Sequence, residues 1–234
     1  MMIPIVLTGT IIPNTIKVVH RDWKKRRSEY LDAIKYYRRF SKVYFLEHSH
    51  YDLFHDDEFS SDERLECIKF EPSIEFERGK GYHEFQVLDE FVKQRLNDDC
   101  FLKITGRYIY SNFKELFSFI LRDKDKYDLV IDAFIRTKIA FTSLFYVKKD
   151  IYLDQFLNSY LEMNDSKDVW AEHVIYNRLE NIPSRTFFPK TPILNAISGS
   201  SGSRIAMDAG STKVKIKNME RILLSVVGAR KLLL

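Results

Sequence analysis

The chain has 234 residues, 45% of them hydrophobic and 14% aromatic, and a formal net charge of +4. That length and burial capacity point to one domain with a substantial core and argue against a disordered chain. No apolar run reaches the roughly 20 residues that cross a bilayer as a helix, and Cys67 and Cys100 stand in apolar runs without metal-ligand spacing, as reduced core thiols of a cytoplasmic protein would.

The N-terminal MMIPIVLTGTIIP has no basic segment ahead of its apolar run and no small-residue cleavage site, so it reads as a first strand rather than a signal peptide. A helix is predicted over 23–40, where Trp23, Tyr30, Leu31, Ile34 and Tyr37 recur at helical spacing. KVYFLEHS and LECIKFE read as the second and third strands. A helix over 83–96 carries Phe85, Val87, Leu88, Phe91 and Val92 inward, and CFLKITGRY supplies a fourth strand. YDLVIDAFI and IAFTSLFYV are further strands, followed by helices over 151–161 and 169–179. SGSSGSR, 198–204, is a Gly/Ser loop, open to two readings: a phosphate cradle with Arg204 or a flexible linker.

The chain ends in a basic amphipathic helix from Ile216 onward. Ile216, Met219, Ile222, Leu223, Val226 and Val227 lie near one side of it, with Lys215, Lys217, Arg221 and Arg230 among the rest. Such a helix suits either an anionic membrane surface or a packing contact. Alternating strands and helices give an α/β domain over 1–202 with a mostly parallel sheet, and a C-terminal helical extension over 203–234.

Charge is unevenly spread. Residues 21–42 carry Arg21, Lys24, Lys25, Arg26, Arg27, Lys35, Arg38, Arg39 and Lys42 against three acids, residues 47–77 are strongly acidic, and Lys213, Lys215 and Lys217 follow Gly210. A basic helix over 21–42 allows an anionic partner such as nucleic acid, or a solvated face. Several strands end in small or polar groups: Thr8-Gly9-Thr10, Glu47-His48-Ser49 and Thr105-Gly106-Arg107. In open α/β sheets the ligand crevice lies beyond the carboxyl ends of the strands, so these groups are candidates for its rim.

LTGTI, FLEHS, GKGYHE and FLKITGRY, in that order over about residues 3–202, resemble bacterial glycosyltransferases of the GT-A type that build capsule, lipopolysaccharide and O-antigen chains. The resemblance implies a Rossmann-like GT-A fold and transfer from a UDP-, GDP-, CMP- or dTDP-sugar donor to a glycan or lipid-linked oligosaccharide. The enzyme would then work in the cytoplasm, peripherally at the inner face of the cytoplasmic membrane. It also implies that Thr8, Gly9 and Thr10 hold the nucleotide with Glu47 nearby, that Lys80 and Gly81 meet phosphate, and that Lys103, Thr105, Gly106 and Arg107 border the sugar-phosphate.

No Asp-x-Asp motif ends a strand, which leaves a divalent metal open; without one, Lys103, Arg107 and Arg136 are the cations for the leaving group. Glu172 is the first candidate base, from its position late in the domain, and Asp132 the second. Two other classes stand beside this one: a nucleic-acid-binding protein, disfavoured because the aromatics follow apolar strand and helix patterns, and a sugar nucleotidyltransferase, disfavoured because no Gly-rich basic loop follows the first strand.

Overall fold

The computed structural model describes residues 2–199, 201–226, 232 and 233. Ser200 of the Gly/Ser loop and Val227, Arg230 and Lys231 of the basic C-terminal stretch lie outside the described residues. The elements run β1 (Ile5–Gly9), α1 (Trp23–Tyr37), β2 (Val43–Glu47), β3 (Leu65–Lys69), α2 (Gly79–Gln94), β4 (Cys100–Thr105), α3 (Phe113–Asp123), β5 (Leu129–Phe134), β6 (Ile139–Lys148), the single turn α4 (Lys149–Ile151), α5 (Ala171–Arg178), β7 (Arg185–Thr186), β8 (Asn195–Ile197), β9 (Arg204–Ala206) and α6 (Thr212–Val226).

Seven strands form one sheet in the order β3-β2-β1-β4-β6-β5-β7. β6 pairs antiparallel with both β4 and β5, and every other pairing in the sheet is parallel. This is an α/β Rossmann-like architecture. The chain winds outward from β1 to β3 and returns to β4 on the other side of β1. β1 and β4 therefore flank the switch point of the sheet, the place where α/β folds leave a crevice.

The two faces follow from strand parity. Ile5 and Leu7 of β1 pack with Tyr30, Ile34 and Tyr37 of α1 and Phe113 and Phe117 of α3 in one buried cluster. Val6, Tyr44, Leu46 and Phe101 pack with Phe85, Leu88 and Phe91 of α2 and Ile175 of α5 in the other. Because side chains alternate along a strand, Thr8 shares the α2 face with Val6, and Lys103 and Thr105 share it with Phe101. Three polar groups from the two switch-point strands thus face one helix.

Three predicted elements take a different form. α2 begins at Gly79, so Gly-Lys-Gly lies in its first turn and not in a loop before it. Residues 151–161 are not one helix: α4 passes into a π-helical turn, Tyr152–Phe156, and a left-handed Asn158. Asp89 takes the Tyr152 hydroxyl at 2.6 Å and the Asn158 amide at 2.7 Å, replacing helical hydrogen bonds with side-chain ones. The Gly/Ser loop is the tip of a β8–β9 hairpin, where the Ser198 amide donates to Ser203 O.

The uneven charge is resolved within the chain. Arg27 pairs with Asp56 and Glu58, Arg38 with Asp62, and Lys42 with Glu66. Arg26 is buried. Part of the basic segment 21–42 therefore meets the chain's own acidic segment.

Candidate active site

At the crevice end of β1 and β4 a carboxylate that the sequence reading did not single out gathers the polar groups. Oε1 of Glu84, on α2, accepts from the Thr8 hydroxyl at 2.5 Å, the Lys103 ammonium at 2.6 Å and the Thr105 hydroxyl at 3.2 Å. Lys103, fully shielded from solvent, also donates to Thr142 O at 2.7 Å and lies 3.2 Å from the Thr105 hydroxyl oxygen. Burial pushes the Lys103 ammonium below the usual lysine range despite Glu84. Burial alone would push the Glu84 carboxyl up, but Lys103 and the Thr8 hydroxyl outweigh it and hold it below the usual range. None of these bonds uses Glu84 Oε2, and the side chain keeps 18% exposure.

Three further groups border this hub. Lys80, one turn before Glu84 on α2, is exposed and its ammonium makes no hydrogen bond or ion pair among the described residues. Glu172, in the first turn of α5, is half-buried and likewise unpaired, and its charge is felt at both Lys103 and Tyr108. The phenol of half-buried Tyr108 is pushed up by burial, with Lys80 and Arg107 opposing.

A carboxylate of the chain itself, Asp165, stands at the N-terminus of α2. The Lys80 amide donates to Asp165 Oδ2 at 3.2 Å. Gly79 has φ +85° and packs so closely on Asp165 that a Cβ there would collide with the carboxylate. Gly81 packs against Ala171, holding α2 and α5 together and so fixing Glu84 relative to Glu172.

The rest of the first strand's rim is scaffold. Glu47 is fully buried and binds the Ile11 amide at 3.1 Å and the Ser49 amide at 2.7 Å, tying the loop after β1 to the turn after β2. Its carboxyl is pushed up by burial, only partly offset by Ser49 and Lys69. Thr10 bonds His48 Nε2 at 2.8 Å, and burial drives the His48 imidazole down to about 3. Gly9 lies against the Phe45 ring. At Gly106 a Cβ would stand 2.6 Å from Thr8 O, so β4 can approach β1 here only without a side chain.

Arg107 is buried and donates to Glu29 at 2.7 Å and Ile197 O at 3.2 Å. Burial works against its charge, but Tyr30 and Glu29 prevail and hold it above the usual range. Arg26 donates to Thr10 O at 2.5 and 2.9 Å, and both guanidinium groups lie beside Gly199 at the hairpin tip. Arg136 sits exposed in the β5–β6 turn, without a hydrogen bond or ion pair among the described residues. Asp132 is held bidentately by Arg221 at 2.7 and 2.8 Å and by the Phe188 amide at 3.1 Å. Those bonds seat α6 on the sheet and engage both oxygens of Asp132.

Among the described residues no group of three or more His, Cys, Asp or Glu side chains is disposed to hold a metal ion. Glu84 is already bound by Lys103, and the side chains at the rim do not form a divalent-metal donor set.

No protein-family model matches the chain, and no curated protein matches it. Among solved structures, the galactosyltransferase LgtC in complex with donor and acceptor sugar analogues is similar at 9% identity and TM-score 0.48, over 79% of this chain and 73% of that one. GlyE, a glycosyltransferase of Streptococcus pneumoniae TIGR4, is similar at 10% identity and TM-score 0.47, over 80% of this chain and 45% of that one. The 4-diphosphocytidyl-2C-methyl-D-erythritol synthase of Anaerococcus prevotii DSM 20548 is similar at 12% identity and TM-score 0.47, over 93% and 95%.

Proposed function

We propose that the chain is a glycosyltransferase that moves a sugar from a nucleotide-sugar donor onto a hydroxyl of a growing bacterial surface glycan: capsule, lipopolysaccharide or O-antigen. The observation that supports this reading is the pairing of two unsatisfied charges, Lys80 and Glu172, beside the Glu84–Lys103 hub at the sheet's switch point.

In this reading the donor pyrophosphate lies over the β1–β4 rim with the Lys80 ammonium beside the leaving oxygen. The bond from the anomeric carbon to that oxygen breaks, and its electron pair stays on the phosphate, where a cation stabilises the growing charge. Glu172 takes the proton of the acceptor hydroxyl as its oxygen bonds the anomeric carbon. Glu84 Oε2 accepts from a donor-sugar hydroxyl and orients the ring. Lys103 acts through Glu84, since its own hydrogen bonds stay within the protein. The lipid-linked acceptor would be met at an anionic membrane surface by α6, whose Ile216, Met219, Ile222, Leu223 and Val226 are exposed beside Lys213, Lys215 and Lys217.

Thermal unfolding with UDP-, GDP-, CMP- and dTDP-sugars, each with Mn²⁺, Mg²⁺ or EDTA, tests the reading. One nucleotide class is expected to raise the midpoint, by about 2.7 kcal/mol at a hundredfold excess over Kd. A folded protein that responds to none of them would end it.

A further inference from the structure

A cleft of about 580 Å³ opens between the N-terminus of α1 and the loop after β2, lined by Trp23, Lys24, Arg27, Tyr51, Asp52, His55 and Asp56. None of these residues belongs to the Glu84–Lys103 hub, although both ends face the crevice side of the sheet. We propose that this cleft binds a neutral sugar unit of a glycan, with the Trp23 ring as its platform; its use as an acceptor subsite rests on the transferase reading above.

Its volume falls within the range of small-molecule sites. One wall is rigid: Arg27 donates to the Tyr51 hydroxyl at 3.0 Å and to both oxygens of Asp56 at 2.6 Å, and Tyr51 donates to Asp56. The other side is adaptable and polar, with an Asp52–His55 pair at 2.6 Å whose side chains are largely exposed. Between them the Trp23 ring is 42% exposed, with the Lys24 ammonium 5.7 Å from its centroid.

Charge and shape select the ligand. Lys24 and Arg27 are balanced by Asp52, Asp56 and Glu58, so the cleft offers no excess of cation to a phosphate. The Trp23 and Tyr51 rings stand 6.0 Å apart at 45°, which gives no parallel slot for a flat nucleobase. A pyranose has an apolar C–H face for one aromatic ring and hydroxyls for the surrounding carboxylates, imidazole and ammonium.

The chain has two tryptophans, Trp23 and Trp170, so Trp170→Phe leaves Trp23 as the sole indole reporter. This variant is titrated with short neutral oligosaccharides of glucose, galactose and mannose, and separately with inorganic phosphate and UMP. A saturable change in emission is expected with at least one sugar series and not with the anions. Adding Asp52→Asn, an exposed and conservative change, should weaken that binding about tenfold, the scale of one lost polar anchor. No response to any sugar, an equal response to phosphate or UMP, or undiminished binding in Asp52→Asn would overturn the proposal. Thermal shift of Trp23→Ala by nucleotide-sugars separates the two readings. A retained shift with oligosaccharide binding lost in the same variant by titration calorimetry isolates the cleft, and oligosaccharide binding by a protein that ignores every nucleotide-sugar removes the transferase reading and leaves the cleft.

Discussion

Asp132 with Arg221, and Glu84 with Lys103, are both carboxylate–cation pairs withdrawn from water on the same sheet, but they differ in what they leave unpaired. Arg221 engages Asp132, Phe188 O and the Thr191 hydroxyl, and Asp132 adds the Phe188 amide, so the set is closed. Glu84 uses one oxygen for three partners and leaves the other without a hydrogen bond, with Lys80 and Glu172 alongside, both unpaired among the described residues. Burial of charge is common to a structural bolt and to a site. The unpaired groups at the edge of the second pair are the reason we propose it, and not the first, as the place for a ligand.

Breaking the closed pair should have the largest effect on the fold. Arg221→Ala leaves a buried Asp132 uncompensated and is expected to cost about 3–5 kcal/mol in urea unfolding. Replacing both partners together by apolar residues should cost much less. Glu172→Gln tests the other side of the contrast: stability within about 0.5 kcal/mol of wild type, with transfer reduced about 10²–10⁴-fold. Equal loss of stability and turnover would make Glu172 another bolt.

Lys103→Met falls between the two, at roughly 2–3 kcal/mol, because Glu84 retains some contact with solvent. It should lift the Glu84 carboxyl, readable by NMR titration. If transfer survives at the wild-type rate, the hub is structural.

At a fixed pH of about 7 one further group goes unseen, and pH dependence brings it out. His48, driven to about 3 in the fold, binds its proton more readily when unfolded. Its contribution is therefore present above about 6.5 and lost as pH falls from there toward 3, at up to about 1.4 kcal/mol per pH unit. Asp89, pushed up to about 6, works in the opposite sense as pH rises through that value. The difference between wild type and His48→Asn isolates the histidine. A difference that stays flat with pH would show that His48 binds its proton equally well in the folded and unfolded chain.

β1 to β6 were legible because each is a short apolar run, and parity alone puts Thr8, Lys103 and Thr105 on one face; β7, β8 and β9, two or three residues each with polar members, were not. α3 was equally legible, since Phe113, Leu116, Phe117 and Ile120 recur at i, i+3, i+4 and i+7, although a reading of 100–113 as strand and turn omits it. Glu84 was not, because what distinguishes it is Thr8 and Lys103, brought to it by folding. Arg107 reads as a crevice cation, yet Glu29 and a late hairpin carbonyl enclose it. That enclosure depends on contacts 78 and 90 residues away.

That hairpin also sets an order of biosynthesis. The Gly199 carbonyl receives the Val19 and His20 amides, and Arg107 reaches Ile197, so segments from both halves of the sequence close over the two guanidinium groups. While the ribosome still holds residues 195–206, Arg26 and Arg107 lack that cover and Glu29 is their nearby acid. The crevice rim is sealed on this side only once residues 195–206 have joined the fold.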